Sequence, residues 1–240
     1  MTNPDFSTAL RGALLSEPVV LSRTVAPRRA AVAAIAREHE GHAELLFIQR
    51  AEHPLDPWSG QMAFPGGRVD PTDATEQSAA ERETREEVGL DLERDGIFLG
   101  RLDEIQARAR GGVLPLGIAP FVFWLAASVE VGISPEVQQA VWIPLLELYS
   151  PRNRKTLDYS MDGQLYTLPS IVSGDKVIWG LTLRILGDLL GRLERGPIGA
   201  WAREELGLAP SEPLLPSFDF LARPAATTTE VPPTTSSVLG

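Results

Sequence analysis

Phe64-Pro65-Gly66-Gly67-Arg68-Val69-Asp70-Pro71-Thr72-Asp73, followed after six intervening residues by Ala80-Glu81-Arg82-Glu83-Thr84-Arg85-Glu86-Glu87-Val88-Gly89-Leu90, decides how this 240-residue chain is read. A strand-like Met62-Ala63-Phe64 enters a Gly66-Gly67 pair that can turn sharply and let another group approach the backbone closely. Residues 74–88 then have helical composition and stop at Gly89, where a positive φ is expected. On that helix Glu83, Glu86 and Glu87 stand at i, i+3 and i+4 and share one face. Glu83 has no basic neighbour at the flanking helical spacings, which hold Ala79, Ala80, Glu86 and Glu87. Each like-charge pair costs on the order of a few tenths of a kcal/mol. A hard divalent cation among the oxygens turns that cost to use. Mg²⁺, or Mn²⁺, suits a few carboxylates with waters or phosphate oxygens in its other positions. The competing reading is a solvated charged face relieved by Arg82 with Glu86 and Glu81 with Arg85.

Working outward, residues 30–37 and 44–50 are strand-like runs separated by a polar loop containing Gly41, and they read as a hairpin. The Pro- and Gly-rich stretch 52–73 is long enough to be functional and carries Trp58 and Phe64. Strands are predicted at 97–102, 118–131 and 138–143, a short helix at 144–149, and an amphipathic helix at 182–194 with Leu183, Leu186, Leu190 and Leu193 on one face. Hairpin strands mixed with packed helices argue for an α+β fold or an α/β/α sandwich with a mixed sheet, rather than a doubly wound parallel sheet. Residues 1–28 read as a peripheral helical arm built on Phe6, Ala9, Leu10, Ala13 and Leu14. Residues 29–206 form the main domain and 207–240 a tail. The final 16 residues hold five Thr, two Ser and two Pro with no core-forming period, so disorder is expected from 225.

Composition sets further bounds. Lys and Arg number 22 against 32 Asp and Glu, a formal charge of −10, which disfavours nucleic acid and anionic membranes as partners. The chain has no cysteine, hence no thiolate nucleophile and no sulfur-based zinc site. No secretory signal is read at the start, so a cytoplasmic location is expected. Residues 111–129 lack charge, but Pro115, Gly117 and Pro120 break any membrane helix there. His39, His42 and His53 fall in loops, and Trp124, Trp142 and Trp179 in apolar runs expected to be core. Trp58 is placed either to stack on a base or to pack locally.

Gly67, Arg82, Glu83, Glu86, Glu87, Gly89 and Leu90 resemble the signature of the Nudix hydrolases, G-x5-E-x7-R-E-U-x-E-E-x-G-U with U bulky and apolar. Asp73 stands at the first Glu position, eight residues rather than seven precede Arg82, and Thr84 replaces an apolar residue. The loop F-P-G-G-x-x-D-x-x-D resembles the coenzyme A pyrophosphatase-like branch, as do Gly60-Gln61 and Ile178-Trp179-Gly180-Leu181-Thr182. After its second strand that branch carries a Ser or Thr and a further Arg, where this chain has Arg50-Ala51-Glu52-His53-Pro54.

The resemblance implies a Nudix-type α/β/α sandwich and hydrolysis of a nucleoside diphosphate linked to X, a small-molecule substrate, with Mg²⁺ or Mn²⁺ as cofactor. It points to Glu83, Glu86 and Glu87 as metal ligands and catalytic carboxylates, with Arg82 orienting a carboxylate. Arg50, Trp58, Gln61, Gly66 and Gly67 are the substrate-binding candidates. The general base is open among Glu83, Glu104 and Glu136. Coenzyme A or a derivative is the first substrate reading. ADP-ribose, NADH or a dinucleotide is the second, and a silent nucleotide-binding domain the third. The chain is expected to be a monomer or homodimer.

Overall fold

Two apolar runs flanking Gly41 make the expected hairpin: β1 (Arg28–His39) pairs antiparallel with β2 (His42–Arg50), and Glu40 and Gly41 turn at φ 49° and 79°. The computed structural model describes residues 3–21, 28–54, 56, 58–109, 112–161, 164–215 and 223–224. Along its other edge β1 pairs in parallel with β7 (Gly112–Leu125), from Arg28 opposite Leu116 to Arg37 opposite Leu125. Ahead of the β2 pairing, β1 is also joined by β4 (Gly66–Arg68). The path β3-β2-β1-β7-β5 orders the main sheet, where β3 is Met62–Ala63 and β5 is Gly96–Arg101. Strands β6 (Ile105–Ala109) and β8 (Val137–Pro144) attach to β7 and β2. The sheet is therefore mixed, as expected.

Because β1 and β2 are buried on both faces, alternate residues feed two cores. Ala31, Ala33, Ile35, Leu46 and Ile48 pack with Ala79, Ala80 and Val88 of helix α2 (Glu76–Val88). Ala34, Ala36, Leu45 and Phe47 face the opposite layer: α1 (Phe6–Leu15), α5 (Gly180–Glu194) and α6 (Pro197–Glu205). Short alanines along β1 let both helical layers come close. Two one-turn helices, α3 (Leu92–Asp95) and α4 (Leu145–Tyr149), close connections at the sheet ends.

Several expectations are corrected. Helix α1 is no peripheral arm: Phe6, Leu10 and Leu14 recur at four-residue spacing, so they form one buried stripe, and Phe6 meets Trp201 edge-on at 5.0 Å. Asp5 caps that helix through the Thr8 N–H at 3.1 Å. Strand β7 stops at Leu125 rather than 131, because residues beyond it are tied elsewhere by Gly132 N–H to Val88 O. A second sheet, β9 (Arg154–Met161), β10 (Gln164–Ser173) and β11 (Lys176–Trp179), was not anticipated. Trp124 is core. Trp142 lies at the rim under the Arg37 guanidinium, 4.0 Å from its ring, and Trp179 packs beside Tyr159. The start of the expected tail folds back, with Leu214 buried and its N–H 2.8 Å from Glu194 Oε1. Residues 225–240, expected to be disordered, lie outside the described residues. Among the described residues no helix is long and apolar enough to cross a membrane.

The buried stripe of α1 gives a direct test. Phe6→Ala should destabilise the protein by about 3–5 kcal/mol in denaturant titration, the scale for truncating a buried aromatic. Gly12, on the same helix with open space around it, should accept Ala with a gain of up to about 1 kcal/mol. A Phe6→Ala protein of unchanged midpoint would return α1 to the status of an arm.

Candidate active site

Helix α2 starts where the chain supplies a capping box. The Thr75 side chain accepts the Ser78 N–H, and Ser78 Oγ accepts the Thr75 N–H at 2.9 Å. It ends at Gly89 with φ 71°. Thr84, the departure from the apolar position, is buried on this helix. It costs little there because its hydroxyl donates to Ala80 O at 2.7 Å.

One helical turn apart, Glu83 and Glu87 point at the Gly66-Gly67 turn, and the two glycines serve them differently. Gly66 N–H donates to Glu87 Oε2 at 2.8 Å. Its φ of 145° and the Ala31 carbonyl oxygen, 2.3 Å from where a Cβ would sit, admit no side chain. At Gly67 a Cβ would stand 2.5 Å from the Glu83 carboxyl carbon. Arg82 secures the outer side. Its Nε and Nη2 donate to Asp73 at 3.0 Å each, Nη2 also reaches Arg68 O at 3.1 Å, and Nη1 reaches Glu83 at 3.0 Å and Glu86 at 3.2 Å. The Asp at the first acidic position is thus an anchor for Arg82, which in turn orients Glu83.

A cavity of about 800 Å³ opens over this turn. Glu83, Glu87 and Glu136 line it, together with Arg50, Trp58, Gln61, Gly66 and Gly67. Every substrate-binding candidate read from the sequence therefore faces the same space as two of the three clustered carboxylates. Arg50 Nε donates to Asp56 at 2.8 Å, and its Nη1 lies 4.0 Å from Glu87. Asp56 also accepts the Trp58 N–H at 3.0 Å, so one carboxylate fixes both candidates. Sequence reading missed Asp56, whose only signal is its place six residues after Arg50. Thr182 Oγ1 donates to Met62 O at 2.8 Å and joins the start of α5 to the strand before the turn.

Of the other candidates, Glu86, Glu104, His39 and His42 fall outside the lining, while the exposed His53 stands within it. Glu86 does not line the cavity, and its side chain is 58% exposed. Glu104 is engaged by Arg29, lies 3.9 Å from Arg101 and is not among the residues that line the cavity. His39, His42 and His53 are exposed. Glu136 is brought in by the loop after β7, where Ser134 N–H donates to Glu87 O at 2.9 Å.

The electrostatics follow from burial. Glu87 is 4% exposed, and desolvation pushes its pKa from the ordinary 4.5 up to about 7 against the opposing pull of the Gly66 N–H and Arg50. Glu83 is raised too, mainly by desolvation. Glu136 adds to both shifts, so the three carboxylates feel one another. Among the described residues no three acidic or histidine side chains already converge as a ligand set. What the site offers is a buried carboxylate, Glu87, and a half-buried one, Glu83, repelling each other beside a third, an all-oxygen donor set that fits Mg²⁺ or Mn²⁺.

A carboxyl raised in the folded state contributes stability that is full below its unfolded pKa and lost as pH rises through its folded pKa. Metal-free wild type should therefore lose melting temperature relative to Glu87→Gln between about pH 4.5 and 7, and run parallel to it above that range. Parallel curves throughout would show that Glu87 carries no such burden.

A model of the NUDIX domain matches residues 27–162, more than half of the chain. A human protein named mitochondrial coenzyme A diphosphatase NUDT8 is 31% identical over 71% of this chain and 71% of its own length. An uncharacterized Schizosaccharomyces pombe protein is 41% identical over 45% of this chain, which spans a third of that longer protein. Among solved structures, a MutT/nudix family protein from Enterococcus faecalis superposes with a TM-score of 0.50 at 17% identity, covering 78% of this chain and 71% of that one, a likeness of fold. Domain match, fold and the Arg82-Glu83-Glu86-Glu87 motif together establish that this chain belongs to the Nudix hydrolase family, on the branch resembling coenzyme A pyrophosphatases.

Proposed function

We propose that this Nudix hydrolase is a Mg²⁺- or Mn²⁺-dependent pyrophosphohydrolase that cleaves a nucleoside diphosphate linked to X, with coenzyme A or a derivative as substrate. The observation that carries the reading is the pairing of half-buried Glu83 with buried Glu87 on the wall of a nucleotide-sized cavity. The likeness to a protein named as a coenzyme A diphosphatase supports the substrate.

In this reading Glu83 and Glu87 hold the metal, Arg82 orients Glu83, and Glu86, the third carboxylate of the motif, stays on the solvent side, tied to Arg82. When bound, the ion polarises phosphate oxygens and lowers the pKa of a water. The chain's own residues do the rest. Gly66 and Gly67 keep the backbone close to the anhydride, and Arg50 and Gln61 face its oxygens across the cavity. Trp58, half-buried on the same wall, offers a ring to the base. Glu136 and Glu83 are the carboxylates placed to take the proton of the attacking water. Cleavage of coenzyme A at the anhydride yields 3′,5′-ADP and 4′-phosphopantetheine. ADP-ribose, NADH or a dinucleotide is the second reading, since Trp58 would stack on an adenine whichever group is X. The human relative's name places that protein in mitochondria.

Glu83→Gln should cut turnover by about two orders of magnitude or more, while folding is kept. Mg²⁺ should raise the melting temperature of the wild type more than that of the variant. An active variant with an unchanged Mg²⁺ response would sink the site. In a substrate screen coenzyme A should outpace ADP-ribose, and the reverse order would select the second reading.

A further inference from the structure

The cavity wall opposite α5 is a sheet face with an unusual distribution of charge. Alternate residues Arg28, Ala30 and Val32 of β1 line it, as do Gly66 and Arg68 of β4 and Leu116 and Ile118 of β7. The ladders put these residues side by side: Ala30 opposite Arg68, Val32 opposite Gly66, and Arg28 opposite Leu116. Arg28 and Arg68 are therefore diagonal neighbours on one face, a separation across which long side chains can meet on a common ligand.

The other arginines around this end of the sheet are spent on carboxylates. Arg29 holds Glu76 and Glu104, Arg50 holds Asp56, Arg82 holds Asp73, Glu83 and Glu86, and Arg101 reaches Glu76 and Glu104. Arg28 and Arg68 have no carboxylate partner among the described residues, and both are exposed to the cavity. Their backbones are nonetheless fixed. Arg68 sits in the β1–β4 ladder with its carbonyl held by Arg82, and Arg28 sits in the ten-residue register with β7. Rigid stems with two uncommitted guanidinium groups, in a protein of charge −10, make a place for an anion.

The position sets what anion. Gly67, beside Glu83, pairs with Ala31. Arg28 lies three residues further along β1, about 10 Å at the strand rise. Arg68 directly follows Gly67, so a group gripped by both guanidinium groups would stand between the turn and a point about 10 Å from it, within reach of a nucleotide whose anhydride lies at the turn.

We infer that Arg28 and Arg68 form a subsite for a second, non-scissile phosphate on the nucleotide half of the substrate, and so select phosphorylated over unphosphorylated nucleotides. The inference rests on the proposed reading of the cavity as the seat of a nucleoside diphosphate derivative, but its test does not need turnover. Binding of adenosine 3′,5′-bisphosphate and of 5′-AMP, which lack the anhydride, is measured by calorimetry in Mg²⁺ buffer. Wild type should bind the bisphosphate at least about tenfold more tightly. R28Q/R68Q should lose that preference while binding AMP as before, R28K/R68K should recover most of it, and R152Q, an exposed arginine elsewhere, should leave it intact. Equal affinity of wild type for the two nucleotides, or a preference that survives in R28Q/R68Q, would overturn the subsite. The two readings fail separately. Anhydride hydrolysis with no phosphate preference removes the subsite alone. A preference abolished by R28Q/R68Q without hydrolysis keeps the subsite and removes the proposed reaction.

Discussion

A carboxylate buried against a backbone N–H organises this molecule. Glu87 reaches Gly66 across the gap between α2 and the sheet, and that contact is possible only because Gly66 adopts a φ and a proximity to Ala31 that no side chain tolerates. The turn in turn exists because β3 and β4 attach to different strands of one sheet, β2 and β1, leaving Phe64 and Pro65 to cross between them. Ala31 and Ala33 of β1 and Ala79 and Ala80 of α2 are small enough to bring helix and sheet to that distance. Core packing and site geometry are thus one constraint.

The same arrangement explains why the site is costly by itself. Desolvation raises both Glu87 and Glu83, and Glu136 adds repulsion from a loop bonded to the end of α2. A fold keeps such groups when something compensates them, and Arg82 compensates only the outer pair. Glu87 is left to the Gly66 N–H, to Arg50 at 4.0 Å and to whatever cation the cavity admits. Arginine placement extends the logic outward: Arg29, Arg50, Arg82 and Arg101 are neutralised by fixed partners, whereas Arg28 and Arg68, with no carboxylate partner among the described residues, line the same cavity.

Much of this was legible in the sequence because the decisive signals are local. The Gly66-Gly67 pair, Gly89 at the end of α2, and the four-residue spacing of Glu83 and Glu87 are short-range features. So was the hairpin. What escaped depends on contacts far apart in the chain. Phe6, Leu10 and Leu14 look like an arm until Trp201 and α5 are folded against them. Strands β9 to β11 carry no strong alternation, and they exist as one another's partners. Glu86 and Glu87 are adjacent and chemically identical, and only the packing of α2 on the sheet sends one into solvent and the other into the cavity. Glu104, as plausible a base as Glu136 in sequence, is taken up by two arginines that only the tertiary fold brings to it.

The central claim is that Glu83 and Glu87 form one divalent-cation site at the Gly66-Gly67 turn. Titration of the protein with Mn²⁺, following the free ion by electron paramagnetic resonance, tests it without any substrate. The account predicts saturable binding by wild type that is lost in the Glu83→Gln/Glu87→Gln double variant and competed by Mg²⁺. Mn²⁺ binding of equal stoichiometry and affinity in the two proteins would contradict it.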